Sequence, residues 1–270
     1  MADPDALERR PDPASAARPD SRADRMSEQA PPRPLWRYRL ARLASRWGTR
    51  LLFQVRVEGL ERLPPGPSIL CFNHQNWMDP IFAIGVLPLT PRTSFFGPQE
   101  EDMRVGLRNR FMRWLGLVVP FRPGRRGLAA AVRRVDELLA SGERLGVFGE
   151  GRIHSGEAVL LPLEEGTAYM AIRCRVPIVP AAINGTSWLA FRRPVRLRFG
   201  EPIDPAALAG YEQAQAVADL TAEVGRAILA LVSDFPDPSP SRWIGGRFTE
   251  LFNDWPEGSR PPVPPRDAGG

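Results

Sequence analysis

The chain has 270 residues, 43% of them hydrophobic and 25% charged, which suits one globular domain of about 200 residues with extensions and excludes a repeat array or a wholly disordered chain. The formal net charge of +5 rests on 36 basic residues, every one of them arginine. Without lysine, a GK[ST] phosphate loop and Schiff-base chemistry are excluded, so any grip on phosphate must be made by guanidinium forks. Cys71 and Cys174 stand in no CxxC or Cys/His cluster, so a reducing compartment is expected and a disulfide framework or zinc site is not.

Residues 1–34 mix Pro, Ala, Asp and Arg without periodicity and read as a disordered extension, with Met26 as an alternative start and no apolar core of a signal peptide. A domain is expected over residues 35–235. It opens with LWRYRLARLASRWGTRLLF, where Trp36, Leu40, Leu43, Trp47 and Leu51 form one stripe and Arg39, Arg42, Arg46 and Arg50 lie away from its centre. That pattern fits either a helix lying in a lipid headgroup region or a helix packing its stripe on a core with the arginines solvated. Strands are predicted at Val55–Val57, Ser68–Phe72, Thr93–Phe96, Arg144–Phe148, Ile178–Ile183 and Val195–Phe199, the last alternating apolar residues with arginine as an edge or half-exposed strand would. Arg104–Gly116 repeats the basic, aromatic theme, and helices are predicted at Leu128–Leu139 and from about Tyr211 to Val232. The alternation of strands and helices predicts an α/β fold. Residues 236–270 form a proline-rich tail interrupted by an aromatic island from Arg242 to Trp255. No run approaches the roughly 18 apolar residues that cross a bilayer, so a cytoplasmic protein is expected. Two basic aromatic segments favour an anionic surface as partner; no helix-turn-helix, zinc-finger or RNA-binding signature accompanies them, and nucleic acid is not expected.

The chain has two histidines. His74 follows the apolar run SILCF in CFNHQNWMDPIFAIG, just past the end of a buried strand, where open α/β sheets place their sites. Asp79 precedes Pro80 and reads as a helix N-cap with proline in the first turn. If the loop folds back, Asp79 can accept the Nδ1 proton of His74 and leave Nε2 as a base. On its own the five-residue spacing is weak. Downstream, however, stand GLVVPFR ending at Arg122, VFGEGRIHSGE with Glu150, Gly151, Arg152 and His154, EGTAYMA at Glu165–Ala171, VPIVPAAINGTSW at Val176–Trp188, and FGEPI at Phe199–Ile203.

This ordered set, NHxxxxDP, GxxxxFR, FxEGR and VPIVP, resembles the PlsC-like glycerolipid acyltransferases of the 1-acylglycerol-3-phosphate acyltransferase family over about residues 50–205. The resemblance implies a mixed, largely parallel central sheet flanked by helices behind an amphipathic N-terminal helix. It also implies transfer of a fatty acyl group from acyl-CoA or acyl carrier protein, as co-substrate and with no other cofactor, to the sn-2 hydroxyl of 1-acylglycerol 3-phosphate, giving phosphatidate in phospholipid biosynthesis. His74 would be the general base and Asp79 its partner, with no acyl-enzyme. Arg122 would bind the acceptor's phosphate, and Glu150, Gly151 and Arg152 would line the acceptor site, Glu150 orienting an arginine, accepting a glycerol hydroxyl, or forming a strand-end ion pair. Two departures stand out: Arg152 and Ile153 where the commoner motif has threonine and arginine, and Gly97–Pro98 where many relatives carry lysine. His154 reads as a loop residue, and Asn76 and Trp77 as possible substrate contacts. Glycerol 3-phosphate, another lysophospholipid or an aminolipid remain open as acceptors, as does a lipid-binding protein without turnover. The expected location is the cytoplasmic face of the cell membrane, held peripherally.

Overall fold

A computed structural model describes residues 35–99, 106–121, 125–154, 156–208 and 210–235. The 1–34 extension, Arg122 and the 236–270 tail with its aromatic island lie outside these residues. Helix α1 (Leu35–Leu52) leads into β1 (Gln54–Glu58), then β2 (Ile69–Phe72), α2 (Asp79–Val86), β3 (Thr93–Gln99), α3 (Leu107–Leu115), β4 (Val118–Phe121), α4 (Arg125–Ala140), β5 (Arg144–Phe148), α5 (Gly166–Cys174), β6 (Ile178–Asn184), β7 (Pro194–Phe199) and α6 (Gln213–Val232). The strands form a seven-stranded sheet in the order β1-β7-β6-β2-β5-β3-β4. Every neighbouring pair is parallel except β6 with β7.

The central strands β2, β5 and β6 are almost wholly buried, and apolar apart from Arg144 at the start of β5 and Asn184 at the end of β6, as suits a sheet covered on both faces. Ile69, Cys71, Val147 and Ile178 join a core with α4, α5 and α6, whereas Leu70, Phe72 and Val179 join a second core with α1, α2 and α3. Strand β7 alternates as read from the sequence, but it is not at the edge, because β1 lies outside it. Its arginines are mostly covered and held by acids: Arg198 pairs with Glu58 and Asp234, and Arg196 with Asp234. The sequence predicts no strand at β4, which at four residues is too short to show alternation.

Helix α1 settles the choice between its two readings against core packing of the apolar stripe. Tyr38, Ala41 and Thr49 are its buried residues, while Trp36, Leu40, Leu43, Trp47 and Leu51 face outward, with 66% of Trp47 and 73% of Leu51 exposed. Contact with α2 is made over small groups: a Cβ on Gly85 would come within 3.2 Å of the α1 backbone at Ser45 and Arg46. Arg42 turns inward, its Nε donating to Leu87 O at 2.7 Å, and the Tyr38 hydroxyl accepts the Thr93 N–H at 3.2 Å. At its start, α1 is joined to the end of α3, where the Trp36 and Trp114 rings meet edge to face at 6.3 Å and the Arg37 guanidinium lies 5.4 Å and 5.1 Å from their centroids.

In β5, a Cβ on Gly146 would fall 2.5 Å from the Phe95 ring, so Gly146→Val should lower unfolding stability by about 1–3 kcal/mol in urea titrations; an unchanged midpoint would contradict this packing.

Candidate active site

Strands β2 and β5 are parallel neighbours with Phe72 opposite Phe148, so their following loops leave the same edge of the sheet. His74 and Glu150 each stand two residues beyond those phenylalanines and meet there: the His74 N–H donates to Glu150 Oε1 at 2.9 Å. Packed against the Phe148 ring, the His74 imidazole has its centroid 4.0 Å away and is stacked on it at an interplanar angle of 20°. The ring is therefore fixed from below by a strand residue.

Asp79 orients it from the side. Its Oδ2 lies 2.9 Å from His74 Nδ1 and also accepts the main-chain N–H groups of Gln75 at 2.7 Å and Asn76 at 2.8 Å. The expected cap role is corrected here: Asp79 is the first residue of α2, Met78 is the N-cap, and no side chain caps that helix. The carboxylate has turned back onto the loop before it, where two backbone donors and an imidazole converge, and it still benefits from the positive helix end. An oxygen already receiving two N–H groups acts as an acceptor toward the ring as well, which puts the imidazole proton on Nδ1 and leaves Nε2 unprotonated in the neutral ring.

His74 is mostly covered, with 17% of its side chain exposed, and it lines a cavity of about 550 Å³. The walls are chiefly apolar, including Phe95, Phe96, Met112, Val118 and Met170. Trp77 lines it too, while Asn76 is buried, its Oδ1 accepting the Met78 N–H. Gly97 lies on the cavity wall.

The GEGRIH turn brings its members to different places. Gly151 lines the cavity with φ +65°, and a Cβ there would also come within 3.3 Å of Glu164. Arg152 is exposed. Glu150 is turned inward, with Oε1 on the His74 N–H, Oε2 accepting the Leu161 N–H at 3.1 Å, and His154 Nε2 lying 2.7 Å from Oε2. His154, read from the sequence as a loop residue, is buried. Phe148 carries no motif signal of its own; what marks it is its position, last in the strand paired with the one that precedes His74. Arg122 is outside the described residues, but Phe121 before it lines the cavity. Among the described residues no cluster of three or more His, Cys, Asp or Glu is arranged to hold a metal ion.

A family model described as Acyltransferase matches residues 54–184. A 1-acyl-sn-glycerol-3-phosphate acyltransferase of Saccharomyces cerevisiae is 30% identical over 137 residues, covering 50% of this chain and 44% of that protein. Proteins of the same description from Pseudomonas aeruginosa and Bacillus subtilis are 27% and 26% identical, covering 64% and 66% of this chain and 68% and 87% of theirs. The chain thus spans less than half of the yeast relative. The crystal structure of the 1-acyl-sn-glycerophosphate (LPA) acyltransferase PlsC from Thermotoga maritima superposes with a TM-score of 0.56 at 25% identity, over 78% of this chain and 87% of that one.

Removing the shared acceptor in Asp79→Ala would strand the buried N–H groups of Gln75 and Asn76. A loss of about 1–3 kcal/mol is expected in urea unfolding, and wild-type stability would show that the loop is held by other means.

Proposed function

The chain belongs to the PlsC-like acyltransferase family, and from that premise we propose that it transfers a fatty acyl group from acyl-CoA or acyl carrier protein to the sn-2 hydroxyl of 1-acylglycerol 3-phosphate, forming phosphatidate. The observation that carries the reading is the His74–Asp79 contact at 2.9 Å with His74 on the wall of an apolar cavity. Nε2 takes the proton of the acceptor hydroxyl as its oxygen attacks the thioester carbonyl. The new O–C bond forms, the C–S bond of the collapsing adduct breaks, and the imidazolium, held by Asp79, returns the proton to the departing thiolate. No side chain is acylated. The cavity suits a fatty chain, since its walls gain by excluding water from a hydrocarbon.

The acceptor is argued from the three relatives whose descriptions name 1-acyl-sn-glycerol-3-phosphate, and from the abundance of arginine. Arg122, directly after cavity-lining Phe121, is proposed to grip its phosphate through a bidentate pair, with exposed Arg152 as a second cation and Gly151 giving the main chain close approach.

The acceptor is a membrane component, and α1 supplies a way to reach it. Its outward stripe joins Trp36 to Leu51, with Arg39, Arg46 and Arg50 exposed on the same helix. Apolar burial in the headgroup region and attraction to anionic lipid then add together. No helix among the described residues is long and apolar enough to cross a membrane. We propose that α1 holds the protein peripherally, on the cytoplasmic face of the membrane.

Purified protein should acylate lysophosphatidate in mixed micelles, and a folded His74→Ala should lose about 10²–10⁴ of that rate; comparable rates would remove the base. Glycerol 3-phosphate, run alongside, should be the poorer acceptor, and the reverse order would replace the acceptor. Leu43→Ser with Trp47→Ser should weaken sedimentation with anionic vesicles by roughly tenfold or more, and unchanged binding would detach α1 from the membrane.

A further inference from the structure

The second histidine of the chain stands behind the first. His154 is only 3% exposed, and three of its groups are engaged around His74. Its main-chain N–H donates to His74 O at 3.1 Å. Its Nδ1 accepts the Gly156 N–H at 3.2 Å. Its Nε2 lies 2.7 Å from Glu150 Oε2, a close but bent contact unaccompanied by an aligned hydrogen bond. The other oxygen of that carboxylate accepts the His74 N–H. The backbone of His74 is therefore held on both sides by one short segment: on its N–H by Glu150 and on its carbonyl by the main chain of His154.

The geometry points to His154 as a positioning residue, whose buried imidazole fixes the Glu150 carboxylate and closes the clamp on the His74 main chain. This rests on the reading of His74 as the base. A ring nitrogen that accepts an N–H carries no proton, so Nδ1 of His154 is bare and the proton of the neutral ring sits on Nε2, facing the carboxylate. The tautomer is the reverse of the one at His74, where Nδ1 faces Asp79. Glu150, buried with His154 over it, is absent from the residues lining the cavity. That position suits a carboxylate orienting protein rather than substrate. It also accounts for the departure from the commoner motif: residue 154 offers an imidazole to the carboxylate, and the charge of Arg152 is left at the surface.

With two histidines in the chain, nitrogen NMR of histidine-labelled protein reads both rings directly. In its neutral form His154 should show the Nε2–H tautomer, while His74 carries its proton on Nδ1. A His154 ring of the opposite tautomer, or one averaging between the two, overturns the assignment. This arm needs no turnover, so it stands or falls separately from the proposed reaction. In the kinetic arm, His154→Ala should lower kcat about 10–100-fold, as expected for a base displaced by a fraction of an ångström to an ångström, with KM for donor and acceptor within about twofold. It should also speed amide exchange at His74. His154→Gln, which keeps an N–H donor, should recover most of kcat. Equal losses in both variants accompanied by a matching fall in urea stability would make His154 a packing residue only, and an unchanged kcat in His154→Ala would remove it from the clamp.

Discussion

The site depends on one pairing, β2 beside β5 and parallel to it, with Phe72 level with Phe148. Parallel strands release their chains at the same edge, and equal offsets beyond that pair bring His74 and Glu150 to the same height. Shifting the register by one residue would turn every side chain of β2 to the other face. Phe72 would leave its core and the Phe148 ring would no longer lie under an imidazole. Packing of the sheet and placement of the base are thus the same constraint, which is why residues so far apart in sequence need no flexible adjustment to meet.

Around that pairing, three loops are joined by buried polar groups. Asn73 both donates to and accepts from the main chain of Ile183. Gln75 reaches Gly156 O on one side and the Thr186 hydroxyl on the other. Glu157 accepts the Gly185 N–H and the Ser187 hydroxyl. Each such group would cost stability if left unpaired in the interior, so the loops after β2, β5 and β6 are satisfied together in one arrangement. A general base has to be held close to its proton donor, and this network provides the stiffness.

How much of this could be read beforehand follows the range of the forces. His74 and Asp79 are five residues apart, and a strand end followed by Asp-Pro already limits the loop, so their pairing was legible. The detail that Asp79 caps nothing was not: local preference favours a helix cap, and the demand of two loop N–H groups and an imidazole overrides it. The strands with long apolar runs were legible, whereas β4, four residues inside a motif, offered no pattern. For α1 the stripe was plain, but the side that packs was decided by small groups meeting Gly85, a tertiary contact without periodicity. Glu150 was legible as a strand-end carboxylate; its inward turn onto the His74 and Leu161 N–H groups and the burial of His154 had no local signal.

The outward stripe of α1 also governs how the free protein behaves in water. Trp36, Leu40, Leu43, Trp47 and Leu51 are each about half exposed or more, and contiguous apolar surface of this kind is uncommon on a molecule that lives alone in solution. Each square ångström covered returns about 25 cal/mol, whatever does the covering. The lipid-free monomer leaves that face uncovered, so a second copy, a detergent micelle or the wall of the tube competes with lipid for it, and hydrodynamic size is expected to depend on detergent.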